Sequence, residues 1–233
     1  MRDKLVFTMA ATAAIAAISP TAAGAQATRD ASLKVTPANG GSARQPQGHK
    51  VEARIDVGGS AAVTGFELWY GRSFVFRREG VPACSAAVLR VSGPAGCPAE
   101  SIMGVGRASE DPSDETSPST RFVWVNAPGG KLSAYVTLQR PARVRAPLQP
   151  SVFDNPRSAW PHRDAWRIPP SLRTIAGIPI SMPHLALSFG GKSWARDYIA
   201  TTGCPKGGWR WRIRVHTDRA GVLDREGRAP CHR

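Results

Sequence analysis

The chain has 233 residues, with 20 prolines, 23 glycines and a formal net charge of +14. Proline and glycine scattered between short apolar runs exclude long helices and favour many strands with frequent turns, and no repeat of about 20 to 50 residues marks a solenoid or propeller. The charge points towards polyanions, although 25 of the 31 basic residues are arginines spread along the chain, which an arginine-favouring genome composition would also produce.

Arg2 and Lys4 precede an apolar run from Leu5 to Ile18 that Pro20 ends. This is the pattern of a secretory signal peptide over residues 1–27, cleaved after Ala27, with Ala23-Gly24-Ala25 as the other small-residue site. The run is shorter than the roughly 20 residues needed to cross a bilayer. No second spanning stretch follows, so an exported protein, secreted or associated with the cell envelope, is expected. Losing Arg2, Asp3 and Lys4 takes the net charge from +14 to +13.

Residues 28–48 are polar apart from Leu33, Val35 and Pro37 and read as a flexible arm ending in an edge strand. The domain is expected over 49–233. Val51, Ala53, Ile55 and Val57 alternate with Lys50, Glu52, Arg54 and Asp56, which makes a half-buried strand. Gly58-Gly59-Ser60 turns the chain, Phe66, Leu68 and Tyr70 continue it, and Ser73 to Arg77 is a third strand.

Residues 82–106, PACSAAVLRVSGPAGCPAESIMGVG, hold the first two of four cysteines. In an exported chain, Cys84, Cys97, Cys204 and Cys231 imply two disulfides. Of the three pairings, Cys84–Cys97 with Cys204–Cys231 is expected. Ala87, Val88 and Val91 share one side of a short helix that Gly93-Pro94 stops. Eight helical residues advance about 12 Å, and the five from Gly93 to Cys97 can return about 16 Å, within reach of a bond. Zinc wants close ligand pairs and a redox site wants C-x-x-C, and neither spacing is present. Gly104-Val105-Gly106 lacks the rest of a dinucleotide fingerprint. Pro98 is read as opening a helical turn, Gly104 as closing it, and Gly106 as relieving crowding in the next strand. No cofactor or metal is called for.

Val105 to Ala108 is a strand, and the acidic stretch Glu110 to Thr120 lacks the order of a calcium loop, so it reads as a solvated hairpin tip. Arg121 to Asn126 and Lys131 to Leu138, joined at Pro128-Gly129-Gly130, make the clearest hairpin. Arg140 to Pro150 reads as a connection, and Trp160 to Pro170 as an aromatic, proline-broken loop. His184 to Phe189 and Tyr198 to Thr202 are strands. In Trp209 to Val215, Trp209, Trp211, Ile213 and Val215 alternate with Arg210, Arg212 and Arg214. Eight to ten short strands then give an all-β fold: a single β-sandwich with a short, helical, disulfide-closed loop, or else a barrel-like arrangement.

The order of Cys84 and Cys97-Pro98 through Ser101, Gly104 and Gly106, with Leu33 to Pro37 early and Cys204-Pro205 late, resembles exported, uncharacterised proteins of high-GC bacteria. The resemblance covers most of the chain after the leader and implies compartment and architecture, with no activity to carry over.

For chemistry, His162 and Asp164 could form an oriented base in a secreted hydrolase, but no G-x-S-x-G elbow or H-E-x-x-H pair accompanies them. Trp160 and Trp166 could stack on sugars with Arg163 and Arg167 reaching acidic groups, or the indoles could simply pin a loop to the body. Arg210, Arg212 and Arg214 could form a polyanion stripe, or could guard an edge strand against unwanted pairing. The expectation is a non-catalytic binding or envelope-associated protein. It would contact an acidic cell-wall polymer or glycan through Arg210, Arg212 and Arg214, with Trp160, Arg163, Trp166 and Arg167 as a second patch, and would not recognise a specific nucleic acid.

Overall fold

The computed structural model describes residues 29–59, 61–138, 143–149, 151–175, 177–191, 198–219 and 221–232; the expected leader lies outside them. Two antiparallel sheets carry the fold. The larger has seven strands in the order β1 (Asp30–Thr36), β3 (Lys50–Asp56), β14 (His184–Gly190), β6 (Ile102–Ser109), β7 (Ser119–Ala127), β8 (Lys131–Leu138) and β9 (Val144–Leu148). The smaller has five, in the order β10 (Ser151–Asp154), β11 (His162–Arg167), β4 (Val63–Tyr70), β16 (Trp209–Thr217) and β17 (Val222–Ala229). A short sheet joins β2 (Gln47–Gly48), β15 (Ile199–Thr201) and β5 (Phe74–Phe76), and another joins β12 (Thr174–Ile175) to β13 (Ile178–Pro179). None closes into a barrel.

Alternation decides which faces meet. Val51, Ala53 and Ile55 of β3, Phe66, Leu68 and Tyr70 of β4, and Trp209, Trp211, Ile213 and Val215 of β16 all point into one continuous core between the two large sheets. Burial of each large apolar side chain contributes about 1.5–3 kcal/mol. Trp124 of β7 meets Trp166 of β11 edge-on, with ring centroids 5.5 Å apart, so the indoles join the sheets directly. Gly106 makes room for this contact, since a Cβ there would lie 2.6 Å from the Trp124 ring.

Both expected disulfides form, with Cα separations of 5.3 Å for Cys84–Cys97 and 5.8 Å for Cys204–Cys231. Between the first pair, Ser85 caps α1 (Ala86–Ser92) by accepting the Val88 N–H, and Gly93 at φ +64° ends it. The buried residue of α1 is Leu89, whereas Val88 and Val91 are exposed. The loop lies on the outer face of the seven-stranded sheet, where Cys84 and Leu89 pack with Val125 and Tyr135. The turn after Pro98 is a 3-10 helix, Ala99–Ser101, and Gly104 sits inside β6 instead of closing it. A Cβ at Gly104 would meet the Ser188 carbonyl oxygen at 2.3 Å, so close strand approach explains that glycine.

Four segments depart from expectation. The stretch read as an arm ending in an edge strand does hold an edge strand, β1, but that strand starts at Asp30 and pairs with β3 along its whole length, because Ala31, Leu33 and Val35 alternate inward. The expected connection after residue 140 contains β9, which extends the large sheet beyond β8. The aromatic loop contains β11, second in the smaller sheet; His162, Asp164 and Trp166 take its inward positions, so polar residues masked its period. Finally, β16 is an interior strand, since β17 pairs along it from Ala229 to Val222. Among the described residues, no helix is long and apolar enough to cross a membrane.

Candidate functional site

The predicted arginine stripe lies on the outer face of the smaller sheet, as alternation requires, but its three arginines are paired with two carboxylates of β17. Asp224 of β17 receives two hydrogen bonds from Arg212, at 2.8 and 2.6 Å, and two from Arg214, at 2.9 and 3.2 Å. These bonds, Arg212's foremost, hold the Asp224 carboxyl down at about 2 and raise the Arg212 pKa in return. Glu226 stands 3.5 Å from Arg212 and 3.7 Å from Arg210.

The second predicted patch is divided. Trp166 is a core residue, stacked on Phe66. Trp160 is half-buried beneath the Arg210 guanidinium, 4.8 Å from its ring centroid. Arg163 lies 3.9 Å from the Phe153 centroid and 4.6 Å from that of Trp69, and its Nη1 is 3.4 Å from Glu67. Arg163 and Arg212 flank Trp69 in register, so cations and aromatic rings interleave across β10, β11, β4 and β16. Arg167 is exposed at the end of β11.

His162 and Asp164 do come together, with Nε2 3.1 Å from Oδ1, but both are buried and Phe76 stacks on the imidazole at 3.5 Å. The other ring nitrogen, Nδ1, is bonded to Asp154, and Arg78 Nη2 stands 3.2 Å from Nε2. Burial alone would lower the imidazole's pKa; Asp164 and Asp154 outweigh it and hold the group above its ordinary value. The hydrogen bond from His162 in turn lowers the Asp154 carboxyl. Nδ1 faces Asp154 and Nε2 faces Asp164 and Arg78, so both ring nitrogens are engaged within the cluster. Among the described residues, no group of three His, Cys, Asp or Glu side chains is placed to hold a metal.

The strongest candidate surface was not anticipated. Across the seven-stranded sheet the pairing register aligns Ser32, Arg54, Ala186, Arg107, Arg121, Thr137 and Arg145 in a single row. Arg54, Arg107, Arg121 and Arg145 are all exposed, and their guanidinium groups make no hydrogen bond or ion pair among the described residues. Strands are about 4.8 Å apart, so the row from β3 to β9 extends about 24 Å. Arg107 and Arg121 are directly opposed, an arrangement that costs stability when nothing lies between the charges. A trough of about 480 Å³ runs beside the row over Val105, Val123 and Ser188. Three carboxylates share this face beside the β1–β3 end of the row: Glu52, paired with Lys50 at 2.7 Å, Asp56, paired with His184 at 3.3 Å, and Asp30, opposite Asp56. The outward strand positions of Arg54, Arg107 and Arg121 are readable locally, whereas Arg145 falls in the stretch read as a connection. Their alignment depends on long-range register, which no local pattern encodes.

No protein-family model and no curated protein matches this chain.

Proposed function

We propose that the protein is an exported, non-catalytic binder of a linear acidic glycan of the cell envelope, held across the strands by Arg54, Arg107, Arg121 and Arg145. The observation that carries this reading is four exposed guanidinium groups in one register row, none of them in an ion pair among the described residues. A row of like charges is destabilising in the free protein, and a polymer bearing carboxylate or sulfate groups would remove that cost by lying along it. Arginine's planar fork suits both groups. The arginines of the row stand on sheet strands and not on the helix that packs on the same face, so no helix carries them into a duplex groove, which favours a glycan over duplex DNA. The disulfides suit the oxidising conditions outside the cytoplasm. A hydrolase centred on His162 and Asp164 draws less support, because both imidazole nitrogens are engaged in a buried cluster.

Binding to immobilised polyuronate or heparin, titrated with salt, tests this. Four contacts on a flexible polyanion give a slope of log affinity against log salt of about −3, and removing two contacts reduces it to about −1.5. The Arg107→Ser/Arg121→Ser variant is expected to show the smaller slope with an unchanged or higher melting temperature. Salt-independent binding, or tighter binding to duplex DNA than to the glycans at equal salt, would overturn the proposal.

A further inference from the structure

The outer face of the five-stranded sheet holds a groove of about 690 Å³ just beyond the Arg214 end of the arginine stripe, where Glu67 stands opposite Arg214. Its floor follows from the register: Gly65 of β4 lies between Arg167 of β11 and His216 of β16, so two basic side chains flank a position with none. A Cβ at Gly65 would strike the Trp166 carbonyl oxygen at 2.7 Å, so packing keeps the notch open. Arg163 and Arg173 complete the walls, and Glu67 is the acceptor among them, already engaged by His216 at 3.1 Å and Arg163 at 3.4 Å. Three arginines therefore face one carboxylate. Arg167 is exposed and has no ion pair among the described residues, and the Nε of Arg173 is buried without a hydrogen-bond partner. An unpaired buried donor is costly unless something accepts from it.

We infer that this groove is a second anion site, taking a carboxylate or sulfate group, and that the protein thereby bridges two glycan segments. The bridging rests on the reading proposed for the arginine row. The two sites lie on the outer faces of packed sheets and point in opposite directions. One short ligand cannot reach both, whereas two segments of polymer can each take one. Linked sites of this kind gather strands through effective concentration without further contacts.

The test uses a short sulfated, uronic-acid-containing oligosaccharide to count sites by calorimetry and the parent heparin polymer to detect cross-linking by light scattering. The unmodified protein is expected to bind two oligosaccharides and to cross-link heparin, with scattering that rises and then falls as the polymer comes into excess. Arg167→Ser and Arg167→Ser/Arg173→Ser should bind one oligosaccharide and lose cross-linking, while the salt slope due to the row persists. Arg167 is exposed, so the single variant keeps the test valid should the double variant be unstable. One oligosaccharide bound by the unmodified protein, or undiminished cross-linking by the Arg167→Ser variant, overturns the groove site and leaves the row untouched. Two oligosaccharides bound by the Arg107→Ser/Arg121→Ser variant with undiminished affinity at both sites would instead overturn the row.

Discussion

Replacing Asp164 by alanine is expected to destabilise the protein by about 3–5 kcal/mol, because it takes from the buried His162 ring one of its two carboxylate partners. Asp164 and His162 are only 3% and 4% exposed, so water cannot take the missing partner's place. For a chain of this size each kcal/mol corresponds to roughly 2–4 °C, giving a fall in melting temperature on the order of 10 °C. Asp154 has a side chain 59% exposed, and Asp154→Ala should cost much less. The pH dependence follows from the same cluster. His162 is raised in the fold, so its charged form contributes stability that is complete below about pH 6.5 and is lost as pH rises through the folded value. Asp154 is lowered, so its contribution is present above about pH 3.9 and is lost as pH falls. Melting temperatures should therefore decline as pH rises above about 6.5 in the unmodified protein, and a His162→Asn variant should lack that decline. Stability rising through pH 7 would mean that the imidazole is buried neutral.

The disulfides should give the next largest effect. Cys204–Cys231 closes a 28-residue loop and Cys84–Cys97 one of 14 residues, so the Cys204→Ser/Cys231→Ser and Cys84→Ser/Cys97→Ser pairs should cost about 3.6 and 3 kcal/mol. Against a typical total of about 5–15 kcal/mol, either loss is severe. The longer bridge ties the end of β17, whose buried side chains are only Leu223 and Ala229, to the turn before β16. Without it β17 should fray first, visible as faster amide exchange in Val222–Ala229 than in β16. Equal exchange in both strands would contradict that order.

How legible these features are in the sequence depends on where the determining contact lies. The strands with clean period two, such as Lys50–Asp56 and Trp209–Thr217, declare both themselves and their buried faces. Cysteine spacing and chain reach suffice for the disulfides. By contrast, β11 puts His162 and Asp164 inward, where a polar partner network and not hydrophobicity justifies burial, and β17 is polar over most of its length. The alternation that exposes Arg210, Arg212 and Arg214 is readable, but the carboxylates that neutralise two of them come from β17, ten or more residues later. The arginine row is the extreme case, since its members come from four separate strands and only the order β3-β14-β6-β7-β8-β9 aligns them.

The most direct test of where polyanions bind compares two variants that lose the same charge from different faces. Arg107→Ser/Arg121→Ser removes two unpaired guanidinium groups from the row. Arg212→Ser/Arg214→Ser removes two that Asp224 already holds. Heparin affinity at fixed low salt, with melting curves to verify folding, should fall about tenfold or more in the first variant, taking at least about 0.7 kcal/mol per contact, and little in the second. Equal losses in both variants would show that net charge alone governs binding, and would contradict a binding surface on the seven-stranded sheet.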